Sequence, residues 1–150
     1  RELAIQTHSV CVKLCLGVNM TEPLLLVGGS NKSVLDDLKH FHELHSDIIV
    51  STPGRLEDVL SRYDNINVKS GFECLVLDEA DVLLDMGFEM TLSSILRKLP
   101  KMRRTGLFSA TQTKGVKMLG RAGLRNPVLV NVAIARAPPA GEKVRQKDAP

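Results

Sequence analysis

Five short, unbroken apolar runs punctuate this chain, and residues at helical spacing separate each from the next. They are Pro23 to Gly29, Asp47 to Ser51, Glu73 to Leu77, Thr105 to Ala110 and Pro127 to Val132. A strand that is apolar on both sides must be covered on both faces, and runs of this length are buried strands rather than helices. Between them, Leu3 to Val18, Ser30 to Leu44, Arg55 to Arg62, a segment from Asp78 closed by Gly87, Thr91 to Leu99 and Thr113 to Ala122 step by three and four. Pro53 suits the first turn of the third of these helices. Strand and helix in alternation imply a doubly wound parallel α/β sheet. From Ala135 to Pro150 the composition turns to Ala, Pro, Gly, Lys and Arg, so residues 1–134 are expected to form the domain and 135–150 a linker or flexible tail.

The bulk properties narrow the class. A length of 150 residues with 43% hydrophobic and 25% charged residues is that of a globular domain. No apolar run approaches the ~20 residues of a membrane span, and no membrane partner is expected. Three cysteines, Cys11, Cys15 and Cys74, show no C-x-x-C spacing and point to a reducing, intracellular compartment. The start, Arg1-Glu2-Leu3, has neither an initiator Met nor a signal pattern, which reads as a fragment or a processed product. The net charge of +3 is unevenly spread: Lys101 to Arg125 holds seven bases and no acid, and Asp78 to Glu89 five acids and no base. Such blocks are usually solvated faces; side by side they also suit a site taking a metal–nucleotide on one side and a polyanion on another.

In this fold class ligands gather beyond the C-terminal ends of parallel strands. Asp78-Glu79-Ala80-Asp81 follows Leu75-Val76-Leu77 at such an end. Asp78 there can orient Mg²⁺ through its waters, and Glu79 can polarise an attacking water as general base. Alone, these acids would serve equally as a helix N-terminal cap. Ser109-Ala110-Thr111 closes the next apolar run, and its hydroxyls have Asp81 as a natural partner, although Thr111 or Thr113 could simply cap a helix.

Asp78 to Asp81 with Ser109 to Thr111 resembles motifs II and III of the DEAD-box RNA helicases. Arg1-Glu2-Leu3-Ala4 resembles the end of motif Ia, Gly28-Gly29 the GG motif and Thr52-Pro53-Gly54-Arg55 motif Ib, in the family's order and over Arg1 to about Val132. The resemblance implies the first RecA-like motor domain, N-terminally truncated, with ATP and Mg²⁺ as cofactors and Asp78, Glu79, Asp81, Ser109 and Thr111 as catalytic residues. It further implies sequence-independent RNA backbone contacts through Arg1, Gly28, Gly29, Thr52, Pro53, Gly54 and Arg55, and a second RecA-like domain as partner. The chemistry is compatible: arginines suit phosphate oxygens, and glycines let a backbone approach closely. With no Trp, one Tyr and four Phe, base stacking is not expected as the main binding mode. The strings Leu84 to Glu89, Arg103 to Thr113 and Arg121 to Pro127 are similar to the nucleolar branch of large-subunit ribosome assembly, which implies pre-ribosomal partners and a nuclear, nucleolar location.

No G-x-x-x-x-G-K-[S/T] phosphate loop occurs in these 150 residues. The chain by itself is therefore expected neither to hydrolyse ATP nor to unwind RNA, and to be poorly soluble along an uncovered sheet seam. A non-catalytic RNA- or protein-binding module that retains the fold is the alternative. His40, His42 and His45 with Glu43 read as a solvated helix end rather than a metal site.

Overall fold

The computed structural model describes residues 1–29, 33–62 and 71–132. The expected tail, 135–150, lies outside the described residues, as does all but Gly71 of the stretch Asn65 to Gly71, whose composition is that of a turn. The elements run α1 (Glu2–Gly17), β1 (Leu24–Leu26), α2 (Val34–Leu44), β2 (Ile49–Ser51), α3 (Pro53–Arg62), β3 (Cys74–Leu77), α4 (Ala80–Asp85), α5 (Glu89–Lys98), β4 (Arg104–Leu107) and α6 (Lys114–Gly123). Each begins or ends within a few residues of the place its periodicity indicates.

All pairing among the described strands is parallel. β1 lies beside β2 with Leu24 opposite Ile49, and β3 beside β4 with Leu77 opposite Leu107. The strands form two separate pairs rather than one continuous sheet. α3 joins them through its two sides. Val59 enters the core of Leu24, Leu26 and Leu38, while Leu56 and Leu60 pack against the larger core of Leu75, Leu77, Leu92, Ile95, Leu96 and Leu119. Residues three or four apart share a helix face, and this helix is apolar on both the faces it presents.

Local chemistry explains the element ends. Ser33 and Asp36 form a reciprocal capping box at α2: the Asp36 amide donates to Ser33 Oγ at 3.1 Å and the Ser33 amide to Asp36 Oδ2 at 2.9 Å. α3 opens on Pro53, as its fixed φ favours. Thr113 caps α6 by accepting the Val116 amide at 3.2 Å. Gly87, at φ +84°, ends the turn after α4 with its amide on the Leu84 carbonyl.

Three expectations need correction. The run from Pro127 to Val132 is not a strand, and Val128 is 88% exposed. A strand needs a neighbouring edge to exchange hydrogen bonds, and none of the described strands pairs with it. Nor are the strands covered on both faces throughout: β3 buries Leu75 and Leu77 but leaves Cys74 and Val76 exposed, because the described helices packed on it lie on one side. The stripe of α1 is likewise largely open, with Leu3, Val10, Leu14 and Val18 exposed and Cys15 buried against the rest of the domain. Among the described residues no helix is long and apolar enough to cross a membrane.

Candidate functional site

The Asp-Glu-Ala-Asp segment leaves β3 at its C-terminal end, and Ser109 to Thr111 leaves the neighbouring β4 at the same end. Parallel pairing in register, Leu77 against Leu107, therefore brings two segments 30 residues apart face to face. The Phe108 amide donates to the Leu77 carbonyl at 2.8 Å, and the Ala80 amide returns a bond to the Phe108 carbonyl at 2.9 Å. This backbone stitch continues the ladder past the last paired residues and fixes both loops relative to each other.

Asp81 sits in the first turn of α4 and is buried, at 6% exposure. A buried carboxylate must be satisfied, and this one is. Its Oδ2 accepts the Thr111 hydroxyl at 2.7 Å and the Thr111 amide at 2.9 Å, and its Oδ1 accepts the Val82 amide at 3.1 Å. The Thr111 hydroxyl is the main influence holding this carboxyl below the usual aspartate range; burial works in the opposite direction, and Ser109 and the Val82 and Thr111 amides lower it further. Ser109 also braces the loop, donating from Oγ to the Thr111 carbonyl at 2.7 Å.

Asp78 and Glu79 face a different environment. Asp78 is exposed, its Oδ1 accepting the Glu79 amide at 3.0 Å. Among the described residues neither carboxylate is ion-paired. These are hard, unneutralised oxygen donors, the kind that suits a hydrated Mg²⁺ carrying nucleotide phosphates. Among the described residues no three His, Cys, Asp or Glu gather into a metal cage. Glu79 adopts φ +48°, ψ +50°, a left-handed conformation that a non-glycine residue enters at a cost. The Ala80–Phe108 bond and the bond from the Leu83 amide to the Glu79 carbonyl, 3.0 Å, hold it there.

At the ends of β1 and β2 the other candidate residues collect. Gly28 and Gly29 follow β1, and Thr52 to Arg55 follow β2, with the Thr52 amide on the Leu26 carbonyl at 3.0 Å. Arg1 reaches this corner from the start of α1, its Nη1 donating to the Gly29 carbonyl at 3.0 Å. Gly29 has φ +72°, and a Cβ there would lie 3.0 Å from Arg1 Nη1. Gly28 and Gly54 face open space, where a ligand backbone has room to approach.

Arg55 is placed differently from a surface arginine at a helix start. Its Nε donates to Asp37 Oδ2 at 2.6 Å, and the two side chains are 11% and 6% exposed. Asp37, on α2, is a residue that motif reasoning passes over. Its signal is positional: Val34, Asp37, Leu38 and Phe41 share one face of α2, so an acid occupies a core-facing position and requires a buried partner. Glu79's backbone strain and the Phe108 carbonyl have no comparable signal in the residue string.

The comparisons with known proteins agree with this geometry. The profile of the family described as DEAD/DEAH box helicase matches residues 1–119. The chain is 46% identical over 150 residues to the DEAD-box ATP-dependent RNA helicase 18 of Oryza sativa subsp. japonica, and 52% identical over 136 residues, 88% of its length, to the ATP-dependent RNA helicase DDX55 of Gallus gallus. It spans 23% of the length of each of these relatives. Among solved structures, Mss116p bound to ssRNA and AMP-PNP superposes with a TM-score of 0.69 at 32% identity, over 83% of this chain and 26% of that one. A hypothetical ATP-dependent RNA helicase from Sulfolobus tokodaii gives a TM-score of 0.72 at 31% identity, over 84% of this chain and 36% of that one. The parallel α/β arrangement is that of a RecA-like helicase domain. The chain belongs to the DEAD/DEAH box helicase family.

Proposed function

We propose that this chain is the portion of an ATP-dependent RNA helicase that couples nucleotide hydrolysis to RNA grip. The observation that carries the reading is the Asp81–Thr111 pair, which ties the acidic loop after β3 to the hydroxyl loop after β4. In this reading ATP with Mg²⁺ is the cofactor, and the ion supplies charge neutralisation at the phosphates when bound. Asp78 orients it through water. Glu79, half-buried on a strained turn, holds the attacking water and takes its proton. Asp81 fixes Thr111 and, through the Ser109 brace, makes the position of one loop depend on the other.

Arg1, Gly28, Gly29, Thr52, Pro53, Gly54 and Arg55 form the RNA side, gripping one strand by its sugar–phosphate backbone. A second RecA-like domain of the parent protein is the expected partner across the crevice. The likeness of the strings Leu84 to Glu89, Arg103 to Thr113 and Arg121 to Pro127 to the nucleolar branch supports the inference of a place in large-subunit ribosome assembly, on pre-ribosomal particles in the nucleolus.

The decisive experiment is RNA-stimulated ATP hydrolysis by the full-length protein carrying Glu79→Gln. Turnover should fall by about a hundredfold or more, with RNA affinity retained. Undiminished turnover would remove Glu79 from the role of base. Because no phosphate loop occurs in residues 1–150, this polypeptide alone should show no RNA-stimulated turnover, and measurable turnover by it would refute the division of labour.

A further inference from the structure

The described chain carries no acidic residue after Glu89, while nine bases lie between Arg97 and Arg125. The fold does not scatter them. α5 runs away from the Asp78–Asp81 end, so its last turn delivers Arg97 to the N-terminal end of the β3–β4 pair, and Lys101 and Arg104 follow at the start of β4. α6 descends the same way and ends beside α5: a Cβ on Gly123 would lie 3.2 Å from the Leu96 side chain. Arg125, just beyond that helix, contacts Met102 through Nη1 and Sδ at 2.9 Å, which brings it to the loop that carries Lys101 and leads into Arg104. Arg121 lies one turn earlier on the exposed face of α6, and Lys117 and Lys114 continue that face upward.

Arg97, Lys101, Arg104, Arg121 and Arg125 are all exposed, and among the described residues none is ion-paired. Arg103, by contrast, is half-buried and donates to the Pro100 carbonyl at 2.6 Å, so it belongs to the loop rather than to the surface. Glu73 is the nearest acid along the strand pair, its carbonyl accepting the Arg104 amide. A concentration of unneutralised cations is unfavourable in isolation, and it raises the local density of polyanions.

We propose that this basic end, opposite Asp78 to Asp81 on the β3–β4 pair and on other elements than motifs Ia, GG and Ib, is a second phosphate-contact surface that takes a flanking or structured stretch of the same RNA. The proposal rests on the reading that the parent protein acts on RNA. An acidic peptide is the lesser fit, because protein interfaces depend on a central cluster of apolar anchors, and the exposed large apolar side chains interleaved with these bases are the separate Met102 and Met118. Phosphate neutralisation needs no such anchor.

The test uses the full-length protein and its Arg104→Gln, Arg121→Gln, Arg125→Gln triple variant with two RNAs. One is a single strand of about ten nucleotides, filling the motif site; the other is a hairpin of about forty nucleotides with a single-stranded extension. The variant should bind the long RNA roughly tenfold more weakly, with the slope of log affinity against log salt reduced by about two to three, while short-RNA affinity and ATP turnover at saturating short RNA stay unchanged. Unchanged long-RNA affinity and slope would overturn the proposal. Equal losses on both RNAs would also overturn it, as would competition by polyglutamate stronger than that by RNA. Failure of the wild-type protein to bind the short RNA would instead strike the motif reading. Photocrosslinking of the long RNA to the wild-type protein checks the surface without a variant: adducts are expected in residues 97–104 and 121–125, and their absence there counts against it.

Discussion

At the ends of β3 and β4 the motif residues bond to one another, whereas at the ends of β1 and β2 a motif arginine is held by an acid from outside the motifs. Asp81 and Thr111 make a closed pair whose geometry the parallel ladder dictates. Arg55 instead leans on Asp37, a residue of α2, although Arg1 does bond another motif residue there, at the Gly29 carbonyl. The first arrangement can transmit a change in one loop directly to the next. The second makes the RNA side depend on the packing of α2 against α3. A motif that looks self-sufficient as a string can therefore be only as rigid as a partner lying elsewhere in the chain.

The largest effect that would break this contrast is expected at Asp37. Breaking a buried ion pair by removing one partner is costly, so Asp37→Ala should cost about 3 kcal/mol in urea unfolding of the full-length protein. RNA affinity should fall with it, while ATP turnover at saturating RNA falls less. A loss below about 1 kcal/mol would show that α3 holds Arg55 without α2.

Next in size is Gly29→Ala. At φ +72° an alanine is strained, by about 1 kcal/mol, and its Cβ displaces the Arg1 guanidinium. Gly28→Ala, which faces open space, should leave stability unchanged and weaken RNA binding only through lost backbone approach. If the two substitutions affected stability alike, the strain at Gly29 would not be what distinguishes this corner.

The smallest effect concerns acid. Asp81 has its carboxyl below the ordinary 3.8, so the folded state binds its proton less readily than the unfolded chain. Its contribution is complete at neutral pH and is lost as pH falls through the folded value, below 3.8. Thr111→Val removes the largest cause of that depression. The variant's stability should therefore decline less than the wild type's between about pH 5 and pH 2, a difference readable as denaturation midpoints across that range. Parallel declines would mean that Ser109 and the amides, not the Thr111 hydroxyl, hold the carboxylate.

Much of the fold was legible because periodicity is a local property. Three of the four paired strands lie inside the apolar runs that announce them, β4 starts one residue before its run at Arg104, and Pro53 opens α3 where its fixed φ places it. The run from Pro127 to Val132 shows the limit. Its residues favour a strand, yet a strand exists only where a second edge receives it, and pattern alone does not contain that edge. The same holds for α1, whose stripe was readable while the surface that would cover it was not.

The residue string by itself determined which chemistry is available: acids after one apolar run, hydroxyls after the next, glycines and arginines after two others, and a long stretch of bases without an acid. Those are matters of composition and order. Only the tertiary structure decided which of these groups meet. Register sets Asp81 on Thr111, helix packing sets Arg55 on Asp37, and the common direction of α5 and α6 draws the bases to one end. The reason is physical: hydrogen bonds and ion pairs act over a few ångströms, and distances of that kind between residues far apart in sequence exist only once the chain has folded.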